Sequence, residues 1–403
     1  MKRIGILTFH RSINFGAFVQ CYALANRIQK DFPDTFVEVI DYSTEFANKT
    51  YSANPFVAVF HRGIKSSFKS KLRAFASGII TNRFFDFYFK KQGFKKAYRF
   101  LPLSSFSITT DNEKQFFEQI KNKYDVIIAG SDCIWDFIVY PFPNAYFLNA
   151  DLGAKKLAYA ATTNRMKYEK LTDYQKKYIK ESMRDFSYLG VRDHFCRELL
   201  KKLDPDLETH ILLDPSLLLD MENLDVDLDS IKKRMEKHGI DFSKPVIGVM
   251  GCSVGITARK ILGNEYQLVA LYSDFKGSDY FLNGITPLEW AKVFSLFSLT
   301  ISRFFHGMLL SLKNHVPVIA FDDWKANFPY MKSKIEDMLG NLDLLEYHFV
   351  YKTRFTAEEE NDIRSKMLSF IENPNKEKIA QSIAKSEQGY LDFKSALTDA
   401  LKD

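Results

Sequence analysis

Short apolar segments separated by helical ones are the feature of this sequence that most constrains its fold. Residues 3–9, 125–129 and 156–161 are apolar almost without interruption and too short for buried helices. Such strands are typical of parallel sheets, because helices cover both faces of the sheet. Helical periodicity follows the first strand from about residue 17 to residue 30. This alternation predicts a doubly wound α/β sheet, with further strands at residues 36–41, 188–191 and 211–214.

A second series of strands indicates a second domain. The chain has 403 residues, which is too long for one ordinary core. Its composition changes between residues 219 and 244, where Asp and Lys are frequent, and apolar strands then resume at 246–250, 267–271, 299–302 and 316–321, with a helix at 287–297. We therefore predict a Rossmann-like domain over residues 1–225, another over residues 240–345, and a helical segment over residues 350–403.

Residues 61–100 form a basic and aromatic region. They contain eleven Lys or Arg and one acidic residue, Asp86, and eleven minus one gives a net charge of +10. We interpret the region as part of a helical insertion around residues 45–115, whose aromatic side chains pack while its lysines face water. The alternative is a surface that attracts anionic lipid or a lipid-diphosphate substrate. Basic and aromatic residues also suit single-stranded nucleic acid, but no nucleic-acid motif accompanies them, and we predict no nucleic-acid partner.

Composition and cysteine spacing exclude several classes of protein. The net charge of +6 is mild, and no stretch reaches the ~18 to 20 apolar residues of a membrane span. The basic start is followed by a mainly apolar run that spans only residues 4–9 before His10, which predicts a strand and not a signal peptide. The four cysteines are widely separated, so we expect neither a metal site nor a disulfide framework. A cytoplasmic protein is the expectation.

The turn after the first strand is the first candidate binding element. Asn14, Phe15 and Gly16 lie where a parallel strand ends and a helix begins, at the edge where open α/β sheets bind ligands. Amides at the helix start can hold an anion. The glycine fingerprint of dinucleotide-binding proteins is missing, which disfavours an NAD-dependent oxidoreductase. The alternative is a plain strand-to-helix turn.

Two further strands end in polar residues. Gly130, Ser131 and Asp132 follow a buried strand, and Trp135 comes shortly after. A glycine permits close approach of a ligand, the polar groups suit a sugar, and the Trp ring offers an apolar face; a helix cap is the structural alternative. Arg192 ends another strand, where it could grip a phosphate or carboxylate or form a structural ion pair.

The sharpest group of residues ends a strand of the second domain. Arg303, His306 and Gly307 follow residues 299–302. Histidine is the side chain best suited to proton transfer near neutral pH. An arginine nearby can fix an anionic substrate, and a glycine would let that substrate approach the next helix.

Taken in order, these motifs resemble those of polysaccharide pyruvyl transferases. The similarity extends from residue 3 to about residue 345. Two departures are visible: Thr162 replaces a Ser, and Arg303 lies one residue earlier than the Arg of some members, whose position is Phe304 here. The matching elements are N-x-G-A-x-x-Q-x-x-A-L at residues 14–24, G-S-D-x-x-W at 130–135, Y-A-A-T at 159–162, V-R-D at 191–193, D-P-S at 214–216 and F-H-G at 305–307.

The resemblance implies a GT-B-like fold with the substrate in a cleft between two Rossmann-like domains. It implies phosphoenolpyruvate as donor and a saccharide, free or lipid-linked, as acceptor in cell-surface polysaccharide biosynthesis. Phosphate leaves and a pyruvate ketal forms, with no metal and no further cofactor. The protein would work in the cytoplasm, at or near the inner face of the membrane. His306 and Arg303 are the catalytic candidates, and the substrate-binding candidates are Asn14, Phe15, Gly16, Gly130, Ser131, Asp132, Trp135, Thr162, Arg192 and Gly307.

Two alternatives remain open from the sequence. A sugar-nucleotide-dependent glycosyltransferase has the same fold class but would transfer a sugar. A non-catalytic member of the family would keep the fold and lose the chemistry.

Overall fold

The chain divides into two compact α/β units. The structure is a computed structural model that describes residues 1–50, 83–137, 141–164, 166–323 and 332–402. Unit 1 comprises Met1–Leu219 and Ser386–Asp403, and unit 2 comprises Asp220–Lys385. Within the described residues, no helix has the length and apolar character that crossing a membrane requires.

Unit 1 is built on one parallel sheet. Its seven strands among the described residues run in the order β3-β2-β1-β4-β5-β6-β7. The order reverses beside β1, which pairs with both β2 and β4 and so creates the switch point at which such sheets bind ligands. The predicted doubly wound sheet is confirmed. The strands are β1 Arg3–Leu7, β2 Phe36–Ser43, β3 Leu103–Thr109, β4 Val126–Ala129, β5 Lys155–Ala161, β6 Phe186–Val191 and β7 His210–Ile211.

Helices cover both faces of this sheet. The first begins at Phe15, directly after the carboxyl end of β1, and buries Phe18, Leu24 and Ile28. Phe116 and Ile120 are buried in the same way in the fourth helix. The described helices of this part of the chain are α1 Phe15–Asp31, α2 Glu45–Thr50, α3 Arg83–Ala97, α4 Glu113–Ile120, α5 Asp173–Arg184 and α6 His194–Leu203.

Unit 2 repeats the architecture with a smaller sheet. Six described strands run parallel in the order β10-β9-β8-β11-β12-β13. Its core contains Ile247, Val249 and Ile301 from the strands, and Leu262 and Met367 from helices. The elements are α7 Leu228–Lys237, β8 Val246–Met250, α8 Cys252–Leu262, β9 Gln267–Ala270, β10 Tyr280–Phe281, α9 Pro287–Val293, β11 Leu299–Ser302, α10 Phe305–Lys313, β12 Val318–Asp322, α11 Lys334–Asn341, β13 His348–Val350 and α12 Ala357–Glu372.

The C-terminal region differs from the predicted separate helical segment over residues 350–403. Its last helix, α13 Lys376–Lys402, begins in unit 2 and ends in unit 1. The ring of Phe393 meets that of Tyr159 at 4.8 Å and that of Tyr188 at 5.7 Å. This end of the helix therefore completes the core of unit 1.

The predicted helical insertion around residues 45–115 also needs correction. Residues 103–109 form β3, which pairs with β2 and belongs to the sheet. Residues 51–82, most of the basic and aromatic region, lie outside the described residues. In the described end of that region, Phe94 is buried against Phe18 while Lys91 and Lys95 are exposed. Here the aromatic side chain packs and the lysines face water.

Candidate active site

The helix that follows β1 begins at a side-chain cap. The side-chain oxygen of Asn14 accepts hydrogen bonds from the backbone N–H groups of Gly16 (3.1 Å) and Ala17 (3.3 Å). This N-cap satisfies two of the amides that were expected to hold an anion. Phe15 is buried against Phe94, with ring centroids 5.2 Å apart. Asn14, Phe15 and Gly16 therefore serve first as the cap and the packing of α1.

Gln20 ties three parts of the carboxyl edge of unit 1 together. Its Nε2 donates to Thr8 Oγ1 at 3.0 Å, and its Oε1 accepts from the N–H of Ser131 at 3.3 Å. The Thr8 hydroxyl donates to the Ser131 carbonyl at 3.1 Å. All three residues are buried. The Gln of the first motif, which was not among the candidate site residues, thus fixes the Gly-Ser-Asp turn against β1.

Gly130 is required by a neighbouring strand. Its φ is 125°, and a Cβ there would lie 2.2 Å from the carbonyl oxygen of Tyr159 in β5. The missing side chain lets two backbones approach each other. The expectation that it admits a ligand is therefore replaced by a packing role.

Trp135 lies in the core of unit 1. Its side chain is 0% exposed, its ring stacks near Phe147 at 6.5 Å, and its Nε1 donates to the Tyr146 carbonyl at 3.1 Å. A ring without exposed surface cannot stack on a sugar. The sugar-binding role expected for Trp135 is contradicted by this burial.

Arg192 is a buried cation that joins the ends of β4, β6 and β7. It is 2% exposed, and its Nη1 lies 3.3 Å from an Asp132 oxygen and 3.1 Å from an Asp214 oxygen. Burial would lower the pKa of Arg192, but Asp132, Cys133 and Asp214 raise it above its ordinary value, so the group stays charged. Three of the sequence motifs meet at this guanidinium. Arg192 thus positions Asp132. The direct contact with a phosphate or carboxylate that we expected from the sequence would need an accessible side chain.

Thr162 and Ser131 belong to the same buried layer. The N–H of Thr162 donates to the Asp132 carbonyl at 3.1 Å, and its hydroxyl donates to the Asp193 carboxylate at 2.5 Å. Ser131 is buried, and its hydroxyl has no hydrogen-bond partner among the described residues. Asp132 keeps 13% of its side-chain surface exposed, so its carboxylate can meet a ligand at this edge.

Arg303 lies at the carboxyl edge of unit 2, next to the start of α8. Its Nη1 donates to Ser253 Oγ at 2.9 Å and its Nη2 pairs with Asp323, while 33% of the side chain stays exposed. A Cβ on Gly251 would lie 2.9 Å from the Arg303 side chain, so the glycine makes room for the arginine. No side chain caps the first amides of α8 among the described residues. An exposed cation beside uncapped helix amides is a setting that favours an anion.

His306 is the second residue of α10, three residues after Arg303. It is half-buried, with its ring edge-on to that of Phe305 at 5.3 Å. A Cβ on Gly307 would lie 2.4 Å from Met250 Sδ and 2.5 Å from Ser302 Oγ. Gly307 therefore lets α10 pack onto β8 and β11, instead of admitting a substrate as expected.

Several polar residues at this edge were not predicted. Ser253 accepts a hydrogen bond from Arg303, and Asp323 forms an ion pair with it. Ser253 lies close to the end of β8 and Asp323 directly follows β12, and both strands were predicted. His348 Nε2 lies 2.9 Å from an oxygen of the buried Asp322. The Cys-Ser pair after β8 and the Asp-Asp pair at the end of β12 were the available signals, because side chains at these ends share one edge.

The edge of unit 2 thus combines an anchored guanidinium, a hydroxyl, free helix amides and an imidazole. Together these groups can bind a small anion and transfer a proton. The described part of the chain contains no grouping of three or more His, Cys, Asp or Glu side chains that could hold a metal ion.

Comparison with known proteins agrees with this architecture. A UDP-GlcNAc 2-epimerase from Neisseria meningitidis, bound to UDP-GlcNAc, is 10% identical, with a TM-score of 0.52 over 99% of this chain and 100% of its own. An Anabaena protein in complex with UDP and glucose is 11% identical, with a TM-score of 0.49 over 100% of both chains. At such identities the epimerase likeness shows the fold alone, which is GT-B-like with two Rossmann-like units.

The sequence itself assigns the family. No curated protein matches the chain. The family model of the polysaccharide pyruvyl transferases matches residues 14–324, which is most of the chain and includes every motif described above. The chain belongs to the polysaccharide pyruvyl transferase family.

Proposed function

We propose that this protein transfers the enolpyruvyl group of phosphoenolpyruvate to two hydroxyls of a saccharide and forms a pyruvate ketal. The acceptor is a free or lipid-linked sugar on the way to a cell-surface polysaccharide. Family membership supports pyruvyl transfer as the reaction class. The donor and the ketal chemistry are the proposal.

The observation that carries this proposal is the edge of unit 2 around Arg303. Phosphoenolpyruvate bears a carboxylate and a phosphate, so its site must supply positive charge. The exposed side of Arg303 and the uncapped amides of α8 supply it. Asp323 and Ser253 hold the guanidinium in place, which reduces the entropy lost when an anion binds.

The proposed reaction moves protons in both directions, and His306 is the group assigned to that task. A proton is added to the methylene carbon of the donor and leaves an oxocarbenium-like centre. The first hydroxyl adds to that centre and loses its proton. The second hydroxyl then displaces phosphate, which departs with the remaining proton, and the ketal closes. His306 near the anion site can give the first proton and accept one from a hydroxyl.

We also propose that the protein acts in the cytoplasm at the inner face of an anionic membrane, where a lipid-linked acceptor would lie. The net charge of +10 over residues 61–100 supports this placement.

Direct binding separates the proposed donor from the alternative. Phosphoenolpyruvate and UDP-GlcNAc are each titrated into the full chain by calorimetry, and phosphate release is measured with candidate lipid-linked sugars. We expect phosphoenolpyruvate binding that falls at least tenfold in Arg303→Ala, because a charge-assisted hydrogen bond is lost. The exposed Arg354→Ala is the matched control and should bind normally.

Two results would count against the proposal. Binding of UDP-GlcNAc without phosphoenolpyruvate would identify a sugar-nucleotide-dependent glycosyltransferase. Binding of neither donor, with no phosphate released from any acceptor, would identify a non-catalytic member of the family.

A further inference from the structure

Unit 1 contains a small polar cavity that the proposed chemistry does not use. It lies at the carboxyl ends of β1 and β2 and has a volume of about 40 Å³. That is room for roughly three water-sized groups, too little for a whole sugar ring. The residues that line it are Phe9, Arg11, Ser12, Tyr42, Ser43, Thr44, Ala47, Asn48 and Tyr146.

The charged group of this cavity is Arg11. Its Nε donates to Asp41 at 2.5 Å and its Nη2 pairs with the second oxygen of the same carboxylate. The third nitrogen, Nη1, has no hydrogen-bond partner among the described residues. Because 34% of the side chain is exposed, that nitrogen can donate to a bound group.

His10 contacts the same carboxylate behind the cavity. It is fully buried, and its Nδ1 lies 3.1 Å from the Thr8 carbonyl while its Nε2 lies 3.2 Å from Asp41. Both ring nitrogens thus face acceptor oxygens. Burial would raise the pKa of the Asp41 carboxyl, but the hydrogen bonds from His10 and Arg11 hold the pKa below its usual range. Arg11 and His10 therefore share one carboxylate.

Two further lining residues, Ser12 and Thr44, have hydroxyl groups that can donate to a ligand. Ser12 is 5% exposed, and its hydroxyl has no hydrogen-bond partner among the described residues. The Thr44 hydroxyl oxygen accepts from the N–H of Ala47 at 2.9 Å, which leaves its hydrogen available. No carboxylate is among the described residues that line the cavity. A buried hydroxyl without a partner calls for a partner from a ligand, and a ligand group that also contacts the Arg11 guanidinium has to be an acceptor.

We propose that this cavity is a binding site for one small oxyanion, the carboxylate or phosphoryl group of a ligand. The guanidinium of Arg11 and the hydroxyls of Ser12 and Thr44 are its donors. That a saccharide carries the group rests on the proposed function, whereas the oxyanion site itself does not. Acidic sugars and sugar phosphates are the ligands with this chemistry.

Calorimetry on the full chain tests this site without any turnover. The probes are D-glucuronate, D-glucose 1-phosphate and inorganic phosphate, with D-glucose as the neutral comparison. We expect at least one anionic probe to bind at least tenfold more tightly than D-glucose. Glucuronate alone would identify a carboxylate ligand, and the two phosphates would identify a phosphoryl ligand.

Substitutions locate the bound anion. Arg11→Gln should weaken binding at least tenfold, and Ser12→Val should do the same by filling the cavity while leaving the Arg11–Asp41 pair intact. Arg184→Gln is the matched control, since Arg184 also pairs with an aspartate of unit 1, Asp204. Equal binding of glucose and the anions, or no binding of any probe, would overturn the proposal. So would anion binding that persists in both cavity variants and falls only in Arg303→Ala, because the anion would then be at the proposed donor site.

Discussion

Two arginines at strand ends, Arg192 and Arg303, occupy opposite electrostatic settings. Arg192 is buried between Asp132 and Asp214, so these two carboxylates compensate its charge within the protein. Arg303 faces one carboxylate, Asp323, and keeps a third of its side chain in solvent. A buried ion pair and an exposed one respond differently to the loss of a partner. At the scale of single residues, replacing Arg192 should therefore mainly lower the stability of the fold, whereas replacing Arg303 should mainly weaken ligand binding.

Replacing Arg192 with Leu should destabilise the fold. The change leaves two buried carboxylates without their cation, which typically costs about 3 to 5 kcal/mol. Arg303→Ala should lower the free energy of unfolding by roughly 0 to 1 kcal/mol, since its ion pair is exposed. Denaturant titration of both variants measures the difference. Equal losses in the two variants would contradict the structural role of Arg192.

His306→Asn should reduce turnover while leaving donor affinity nearly unchanged. Asparagine keeps a polar side chain of similar shape but cannot exchange a proton, and losing a general acid or base costs roughly 10²- to 10⁴-fold in rate. Phosphate release and phosphoenolpyruvate affinity are the two measurements. The exposed His238→Asn of unit 2 is the matched control and should behave as the unmodified protein. Near-normal turnover in His306→Asn would return His306 to a structural role.

At the scale of secondary-structure elements, Gly130 lies directly after β4 and so close to β5 that no side chain fits at this position. Gly130→Ala would place a methyl group 2.2 Å from the Tyr159 carbonyl oxygen at a φ of 125°. Backbone strain of about 1 to 3 kcal/mol and overpacking of about 1 to 3 kcal/mol should add.

Gly239→Ala is the matched control for this prediction. Gly239 also has a positive φ, 92°, but a Cβ there meets nothing within 4 Å. Its cost should be the backbone strain alone, on the order of 1 kcal/mol. Denaturant titration of both variants compares them, and a Gly130→Ala cost no larger than that of Gly239→Ala would exclude the clash.

The central strands could be predicted from the sequence, whereas three outer strands, β3, β10 and β13, were not predicted. β4 and β8 are fully buried and continuously apolar, and β1 is so after its first residue, whereas the buried β11 includes Thr300 and Ser302. β3 is an edge strand with four Ser or Thr residues among its seven, which hides its pattern. β10 and β13 have only two and three residues, too few for any periodicity.

The candidate site was predictable in position but not in side-chain orientation. Parallel strands deliver their carboxyl ends to one edge, so the motifs were placed correctly within each sheet. Whether a side chain faces ligand or core depends on partners far away in the chain. Arg192 is buried because Asp132 and Asp214 reach it, and Trp135 because Phe147 and Phe186 surround it. Sequence patterns at the motifs themselves do not contain that information.

At the scale of the whole molecule, the basic region should determine attachment to anionic membranes. Lys91, Lys95 and Lys96 are exposed at the end of α3. Changing all three to Glu should weaken binding to anionic vesicles by at least about 3 kcal/mol, since each basic residue near the surface adds about 1 kcal/mol. The matched control changes Lys232, Lys233 and Lys237 of α7 to Glu.

Co-sedimentation with vesicles at low and high salt measures this attachment. The unmodified protein should bind anionic vesicles at low salt and release them at high salt, because salt screens the attraction. Equal binding to neutral and anionic vesicles, or equal weakening in the two triple variants, would show that the region is not the attachment site.

The division of α13 between the two units sets an order of folding during synthesis. Residues 220–385 are contiguous, so unit 2 has its whole sequence before Ser386 leaves the ribosome. Residues 1–219 of unit 1 are made before unit 2, but its core is incomplete until Phe393, which contacts Tyr159 and Tyr188, has been made. Domains generally fold from the N-terminus as they emerge. Here the unit whose strands are made before those of the other is completed after it, and until then the rings of Tyr159 and Tyr188 lack the cover of Phe393.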